Sequence, residues 1–547
     1  MISAPDPAPA TSAPADLIVL APVWTGVSAA PSAEAVAIRG DRIVGLDAAA
    51  RSLRGPATRM VEAADGLVVP GFQDAHVHPP TAGRKLLTVD LDPLDGGEAY
   101  LRAVGEYAAA HPQEEWIVGG GWAMEHFPGG TPRAEDLDAV VPDRPVFLFN
   151  RDVHGAWVNS AALARAGIDA RTPDPPDGRI ERAAGGAPTG TLHEGAAYSF
   201  ETRHVPAPTA QQWQEALSAA QAHLHALGIT GWQDAWVTPD TQDAYRSLAA
   251  AGRLTARVVG ALWWDRHRGL EQIDELLTRR EQSAPGFFPT TVKIMLDGVL
   301  ENGTGALLES YCDGGGGFTG ERGLTYVEDD VMTAAVTELD RAGFQVHVHA
   351  IGDRAVRGAL DAFATARAAN GPLDNRHHIA HLQLIQPRDV PRFAELGVTA
   401  NCQTYWAQHE PQMDELTIPF LGPERSRMQY PFADLLRTGA RLAMGSDWSV
   451  TTADPLQQIE VAVRRVDPDN REREPFLPEQ RLELAVALAA FTAGSAWINH
   501  DDEAGVIAVG RRADLAVLDR DLFAPDVLPT DARVTHAVAS GRVVAEA

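Results

Sequence analysis

Cysteine is nearly absent: 547 residues hold only Cys312 and Cys402. Two thiols in so long a chain make no disulfide framework, and neither has a C-x-x-C partner for zinc. Both read as structural thiols in a reducing compartment. Basic residues are short as well, 46 against 74 acidic ones, for a formal net charge of −28. Nucleic acid and anionic membrane surfaces repel such a chain at long range, and no basic stripe reverses that balance. No run approaches the roughly 18 consecutive apolar residues of a membrane span. Residues 1–15, rich in Ala, Pro and Ser, lack the positive start and apolar centre of a signal peptide, and read as a disordered leader. Together these absences predict a cytoplasmic protein with no nucleic-acid and no membrane partner.

What is present is material for a large core, since hydrophobic residues make up 45% of the chain. The length predicts about two to four domains, or one large barrel with additions. Short alternating apolar segments occur at 17–20, 35–38 and 42–46, with Gly40-Asp41 as a hairpin turn. Similar segments return at 505–507, 514–518 and 534–544, with turns at Gly510-Arg511 and Ser540-Gly541. Neither end looks able to close a core alone. A small discontinuous β-sandwich built from 16–69 and 500–547 is the expectation.

Between the ends the rhythm changes. Strand-like apolar segments at 228–236, 256–264, 290–296, 345–349, 377–384, 398–405 and 442–447 follow the run at 66–70, which leads into His76. Helical stretches fall between them at 239–251, 269–283, 329–342, 353–369, 387–396 and 431–438. Eight βα units predict an α/β fold, a distorted (β/α)8 TIM-type barrel over 70–499. About 130 residues, 80–208, separate the first strand from the second unit, too many for a structureless loop. They read as a large inserted subdomain over the barrel mouth, with Trp122, His126, His154, Trp157 and Asn159 as groups able to shape a pocket. Each of these is equally at home in packing or at the surface.

The chemistry gathers at predicted strand ends. In F-Q-D-A-H-V-H-P, His76 and His78 share a strand face, a natural start for a divalent-metal site. In V-K-I-M-L-D, Lys293 faces opposite to Val292 and Ile294. A lysine inside a barrel is costly as an ammonium, so it is paired, neutralised or modified, unless its stem reaches solvent. In Q-V-H-V-H-A, His349 is nearer the strand end than His347, which becomes a deeper supporting group. The same reasoning selects His381 from H-H-I-A-H-L-Q, and Asp447 ends R-L-A-M-G-S-D-W with Gly445 on the same face. Taken alone, Asp447 reads equally as an Asx turn or helix cap. The whole set on five strand ends is harder to explain piece by piece.

These motifs, with G-G-G-W-A, D-V-H-G-A-W-V-N-S-A-A-L and G-V-I-A-V-G-R-R-A-D-L-A-V-L-D, make the chain resemble the amidohydrolase superfamily over nearly its whole length. More closely it is similar to the branch of N-substituted formamide deformylase and related metal-dependent hydrolases. The resemblance implies that His76, His78 and Asp447 bind a first metal, and His349 and His381 a second. It implies that Lys293 is the lysine that carbon dioxide converts to a bridging carbamate in binuclear members; a mononuclear site with unmodified Lys293 stays open. One departure is Ala380, where the I-E-H form of the motif carries an acidic residue.

The implied reaction is hydrolysis of a non-peptide amide C–N bond by metal-activated water. Asp447 moves the proton and a histidine, His349 or His381, assists. Zinc is the expected ion, one or two per chain, with manganese or iron also suited to nitrogen and oxygen ligands. The expected partner is a small-molecule amide, weakly an N-formyl or N-acyl amine, and the resemblance suggests a homodimer. A deaminase of the same superfamily is the alternative, although neither Ile351-Gly352-Asp353 nor Leu382-Gln383-Leu384 supplies the glutamate such sites carry. A catalytically silent barrel scaffold is the other.

Overall fold

The computed structural model describes residues 13–547. The expected leader falls mostly outside the described residues; its last residue, Ala15, is buried, and its amide donates to Leu53 O at 2.8 Å.

Eight strands form the central sheet in the order Phe72–Val77, Ile229–Val237, Arg257–Trp263, Phe287–Met295, Gln345–Ala350, His378–His381, Thr399–Cys402 and Leu442–Met444. Every neighbouring pair is parallel. Helices such as Asp329–Arg341 and Asp353–Asn370 cover the outside, burying Val336 and Leu339, and Val356, Leu360 and Phe363. Along Gln345–Ala350, Val346 and Val348 join that apolar layer while His347 and His349 take the inner face, the alternation a strand imposes. Register sets Lys293 level with His347, and His347 level with His378.

The two ends of the sheet meet beyond the regular ladder. Asp447 N donates to His76 O at 2.7 Å and His78 N to Trp448 O at 2.9 Å. Asp74, fully buried, accepts from Ser446 N at 3.0 Å and from His76 N at 3.0 Å, stapling first strand to last. Gly445 permits the approach: a Cβ there would lie 2.5 Å from His76 N.

Some expectations shift. The run at 66–70 is not the first barrel strand. Leu67–Pro70 pairs antiparallel with Leu515–Leu518 in a different sheet, and the chain crosses to the barrel at Gly71, where a Cβ would meet Thr230 Oγ1 at 2.5 Å. The strands expected to reach 384, 405 and 447 stop at His381, Cys402 and Met444. Backbone at His381 (φ 77°), Leu382 (φ 55°) and Asp447 (φ 57°) has left extended geometry, so those side chains are aimed by turns. Residues 505–507 form no strand, although Ile507 is buried and its amide donates to Thr25 O at 3.0 Å.

Strands from both chain ends share one sheet, ordered Arg542–Glu546, Val534–Ala539, Leu515–Leu518, Leu67–Pro70, Leu17–Val23, Ala33–Arg39 and Arg42–Leu46. Between the helices Pro79–Leu86 and Ala210–Ala226 lies a third, six-stranded sheet. Its strands Val89–Asp90, Ile117–Trp122 and Val146–Asn150 are parallel; Gly155–Val158, Pro188–Glu194 and Gly178–Arg182 continue it antiparallel. No helix among the described residues is long and apolar enough to cross a membrane.

Gly445→Ala tests the closure. The added methyl drives into backbone, so stability should fall by about 1–3 kcal/mol, and bound divalent metal per chain should fall with it. Thermal melts and elemental analysis read the two effects.

Candidate metal centre

The side chains singled out from the sequence converge at the C-terminal end of the barrel. Asp447 is at the middle. Its Oδ1 lies 3.2 Å from His76 Nε2 and 3.0 Å from His78 Nε2, and its Oδ2 lies 3.8 Å from His381 Nδ1. His76, His381 and Asp447 offer ligand atoms all within 4.8 Å of one another. Lys293 and His349 line the same cavity, of about 370 Å³. His349 stands somewhat apart, its ring 4.4 Å from that of His381 and its Nε2 3.3 Å from Gly298 O.

A chain of buried amides fixes which nitrogen carries each proton. Gln345 Nε2 donates to the carbonyls of Arg376 (2.8 Å) and Ile498 (2.6 Å), so its Oε1 must accept from Gln233 Nε2 at 3.0 Å. Gln233 Oε1 is thereby turned to His347 Nδ1 at 2.7 Å and His378 Nε2 at 3.0 Å, and both must donate. His347 Nε2 is then a lone pair, accepting from His76 Nδ1 at 2.9 Å with Lys293 Nζ at 3.4 Å. His76 Nε2 is left as a bare lone pair facing the Asp447 carboxylate. Two acceptors that close repel unless a proton or a cation lies against both. His78 Nδ1 and His381 Nδ1, each buried, have no hydrogen-bond partner among the described residues. Three imidazoles and one carboxylate of this kind fit a divalent ion taking nitrogen and oxygen ligands.

Electrostatics agree with that donor set. Burial, reinforced by the charge of Lys293, holds His76 and His349 well below the ordinary imidazole range, as neutral ligands must be. Burial works against the Asp447 carboxylate, yet the hydrogen bond from His78 and the charges of His381, His78 and Lys293 bring it below its ordinary value. Burial also pushes the Lys293 amine down to about 7, against the pull of Asp447.

Among the groups expected to shape a pocket from 80–208, only His154 reaches this cavity. Trp122 and Trp157 pack together with Phe127, and Trp157 Nε1 donates to Arg133 O at 2.8 Å. Asn159 caps the helix Ser160–Ala166, accepting from Ala162 N. His126 is held by Tyr100 and Asp95. His154 Nδ1 sits 2.9 Å from Glu194 Oε2, and Thr304 Oγ1 donates to Glu194 Oε1 at 2.7 Å.

The sequence reading missed Gln233, Gln345, Asp74, Asp297 and Glu194. Asp297 accepts the amides of Ile351, Gly352 and Ala306, tying down the turn after His349, and burial still pushes it up to about 7. The available signal was a polar residue inside an otherwise apolar strand, as in W-Q-D-A-W and F-Q-V. It marks an inward-facing polar group but not its partner.

Comparison with known proteins gives the geometry a context. A model of the amidohydrolase family matches residues 59–545. Protein LONG AFTER FAR-RED 3 of Arabidopsis thaliana is 31% identical over 533 residues, covering 94% of this chain and 89% of that one. The N-substituted formamide deformylase of Arthrobacter pascens is 27% identical over 518 residues, covering 92% and 93%. A crystal structure of an uncharacterized metal-dependent hydrolase from Pyrococcus furiosus has a TM-score of 0.71 at 25% identity, covering 93% of this chain and 100% of that one.

Two outcomes follow. Gln233→Leu removes the acceptor that orients His347, and metal affinity should fall roughly tenfold to a hundredfold, read by competition with a chelating dye. The His154–Glu194 pair gives a pH signature. Although burial opposes it, Glu194 lifts His154 from its ordinary 6.5 to about 9. Glu194 is held below its ordinary value despite its own burial, chiefly by His154. A raised imidazole stabilises fully below its unfolded value and loses that contribution as pH rises through about 9; a depressed carboxylate loses its share in acid. His154→Gln should therefore cost about 3–5 kcal/mol near pH 7, and melts at rising pH should show the gap to wild type narrowing between the ordinary 6.5 and about 9 and levelling off above that.

Proposed function

The chain belongs to the amidohydrolase family and is a hydrolase acting on carbon–nitrogen bonds, and we propose that it cleaves a non-peptide amide, an N-substituted formamide or related N-acyl amine. The observation that carries the reading is the His76 lone pair set against the Asp447 carboxylate at the floor of a cavity. The formamide-cleaving relative supports the choice of bond and of a small acyl group.

In this reading His76, His78 and Asp447 would hold one divalent ion, with zinc as the first candidate, and His349 and His381 would face a second. Lys293 is the candidate for a carbamate between them: its buried amine, pushed down to about 7, is poor as a cation and good as a nucleophile. The chemistry that a divalent ion would supply there, when bound, is a lowered pKa for a water and polarisation of a carbonyl. The chain does the rest. Asp447, buried and kept ionised, accepts the proton of the attacking water and returns it to the nitrogen that leaves. Trp236, Trp263 and Tyr198 wall the cavity beside His78, keep bulk water out and give the organic part of the substrate apolar faces.

Amine release from a panel of N-formyl, N-acetyl and longer N-acyl amines, with zinc and bicarbonate supplied, tests the proposal. N-formyl amines should turn over fastest, and Asp447→Asn should lower kcat by about a hundredfold to ten-thousandfold. Turnover confined to longer or cyclic amides would remove the formamide assignment. Release of ammonia from amino-substituted rings alone would favour a deaminase.

A further inference from the structure

A second, larger cavity of about 660 Å³ adjoins the metal-centre cavity. The two share Asp152, Val299, Trp406 and Val450 as walls, and the Trp406 ring stacks on His381 with centroids 5.5 Å apart. One indole therefore separates the second chamber from a metal-ligating imidazole.

The charged groups of this chamber are nearly all acidic. Asp152, Glu301 and Glu410 line it. Glu301 accepts one side-chain hydrogen bond, from Thr417 Oγ1 at 2.9 Å, and the Glu410 carboxyl accepts none among the described residues. Gln383 is 2% exposed and also lines the chamber; its Nε2 is spent on Gln429 Oε1 at 3.0 Å, and its Oε1 has no partner among the described residues. The positive group is already engaged. Arg151, the arginine that lines the chamber, is paired with Glu125 at 3.2 Å. Burial, reinforced by the charges of Glu125, Glu301 and Asp467, pushes Glu410 up to about 7 against the pull of Arg151. Tyr405, Trp406, Tyr430 and Trp448 give the chamber aromatic walls.

We propose that this chamber binds a cationic group of the substrate, a protonated amine or quaternary ammonium, carried one chamber away from the scissile bond. The proposal rests on the amide-hydrolase reading for the reaction, and on the chamber alone for the charge. An anion would meet the carboxyl groups of Asp90, Asp92, Asp152, Glu301 and Glu410 with only Arg151, itself paired with Glu125, to offset their charge. A neutral apolar group would strip water from Glu410 and the Gln383 oxygen and give nothing back. A cation satisfies the carboxylates, the amide oxygen and the aromatic faces together.

Calorimetry with the full-length, metal-loaded protein tests this directly, using choline and its uncharged tert-butyl isostere, in which carbon replaces the nitrogen. Choline should bind at least about tenfold more tightly than the isostere, and Glu410→Gln and Glu301→Gln should each erode that ratio. Equal binding, no binding, or a ratio that survives both substitutions overturns the proposal. A kinetic arm separates it from the reaction. Among matched N-formyl amines with and without a distal trimethylammonium group, the charged member should have the higher kcat/KM, and Glu410→Gln should lower the charged-to-neutral ratio about tenfold. If only the neutral member turns over, the cation site fails and the hydrolase reading stands. If neither turns over while choline selectivity persists in wild type and is lost in Glu410→Gln, the cation site stands and the reaction assignment fails.

Discussion

The carboxylate of Asp447 facing the bare lone pair of His76 is the contact on which the rest of the molecule converges. Its orientation is inherited from deep in the barrel. Backbone carbonyls at Arg376 and Ile498 set Gln345, Gln345 sets Gln233, Gln233 sets His347, and His347 leaves His76 with its proton on the far nitrogen. Each link is buried, where an unmatched donor or acceptor costs more than a matched one gains, so no link can turn without breaking the next. A ligand set for a cation is in this way built into the fold by polar residues that never touch the cavity.

Barrel closure and site formation are one event. The first and last strands do not join by a regular ladder; they join through Asp74, the backbone of His76 and His78, and the turn from Gly445 to Trp448. That turn carries Asp447 at positive φ, as the turn after the sixth strand carries His381. Non-glycine residues pay for such geometry, and the surrounding hydrogen bonds hold them there. The stretch between the helices Pro79–Leu86 and Ala210–Ala226 adds part of the cavity lining. It brings His154, backed by Glu194 and Thr304, to one side of the centre, and Asp152 to the wall shared by the two cavities. The side near His78 is walled by tryptophans, whereas the chamber beyond Trp406 is lined by several carboxyl groups.

The barrel was legible because strand and helix leave different periods in a sequence. Alternation in Q-V-H-V-H-A placed His347 and His349 on one face, and the apolar–polar rhythm located helices such as Pro239–Ala250 and Asp353–Asn370 within a residue or so. It failed where the chain abandons regular backbone. Leu67–Pro70 and Phe72–Val77 read as one run because only Gly71 divides them; they part because their hydrogen-bonding partners lie in different sheets.

By itself the sequence determined the alternation, the helical faces, and the residue types at the strand ends: His76, His78, Lys293, His349, His381 and Asp447. Those follow from local geometry, since a side chain's face is set by the residues beside it. Only the tertiary structure decided that His76, His78 and His381 meet at the Asp447 carboxylate. It alone decided which histidine nitrogen is bare, that Trp122, Trp157 and Asn159 stay within their own layer while His154 reaches the cavity, and that an acid-lined chamber lies behind Trp406. These depend on contacts between segments hundreds of residues apart, such as His78 with Asp447 or His347 with His76. No local period encodes such contacts, because the positions of the partners are fixed only when the whole sheet curls and closes.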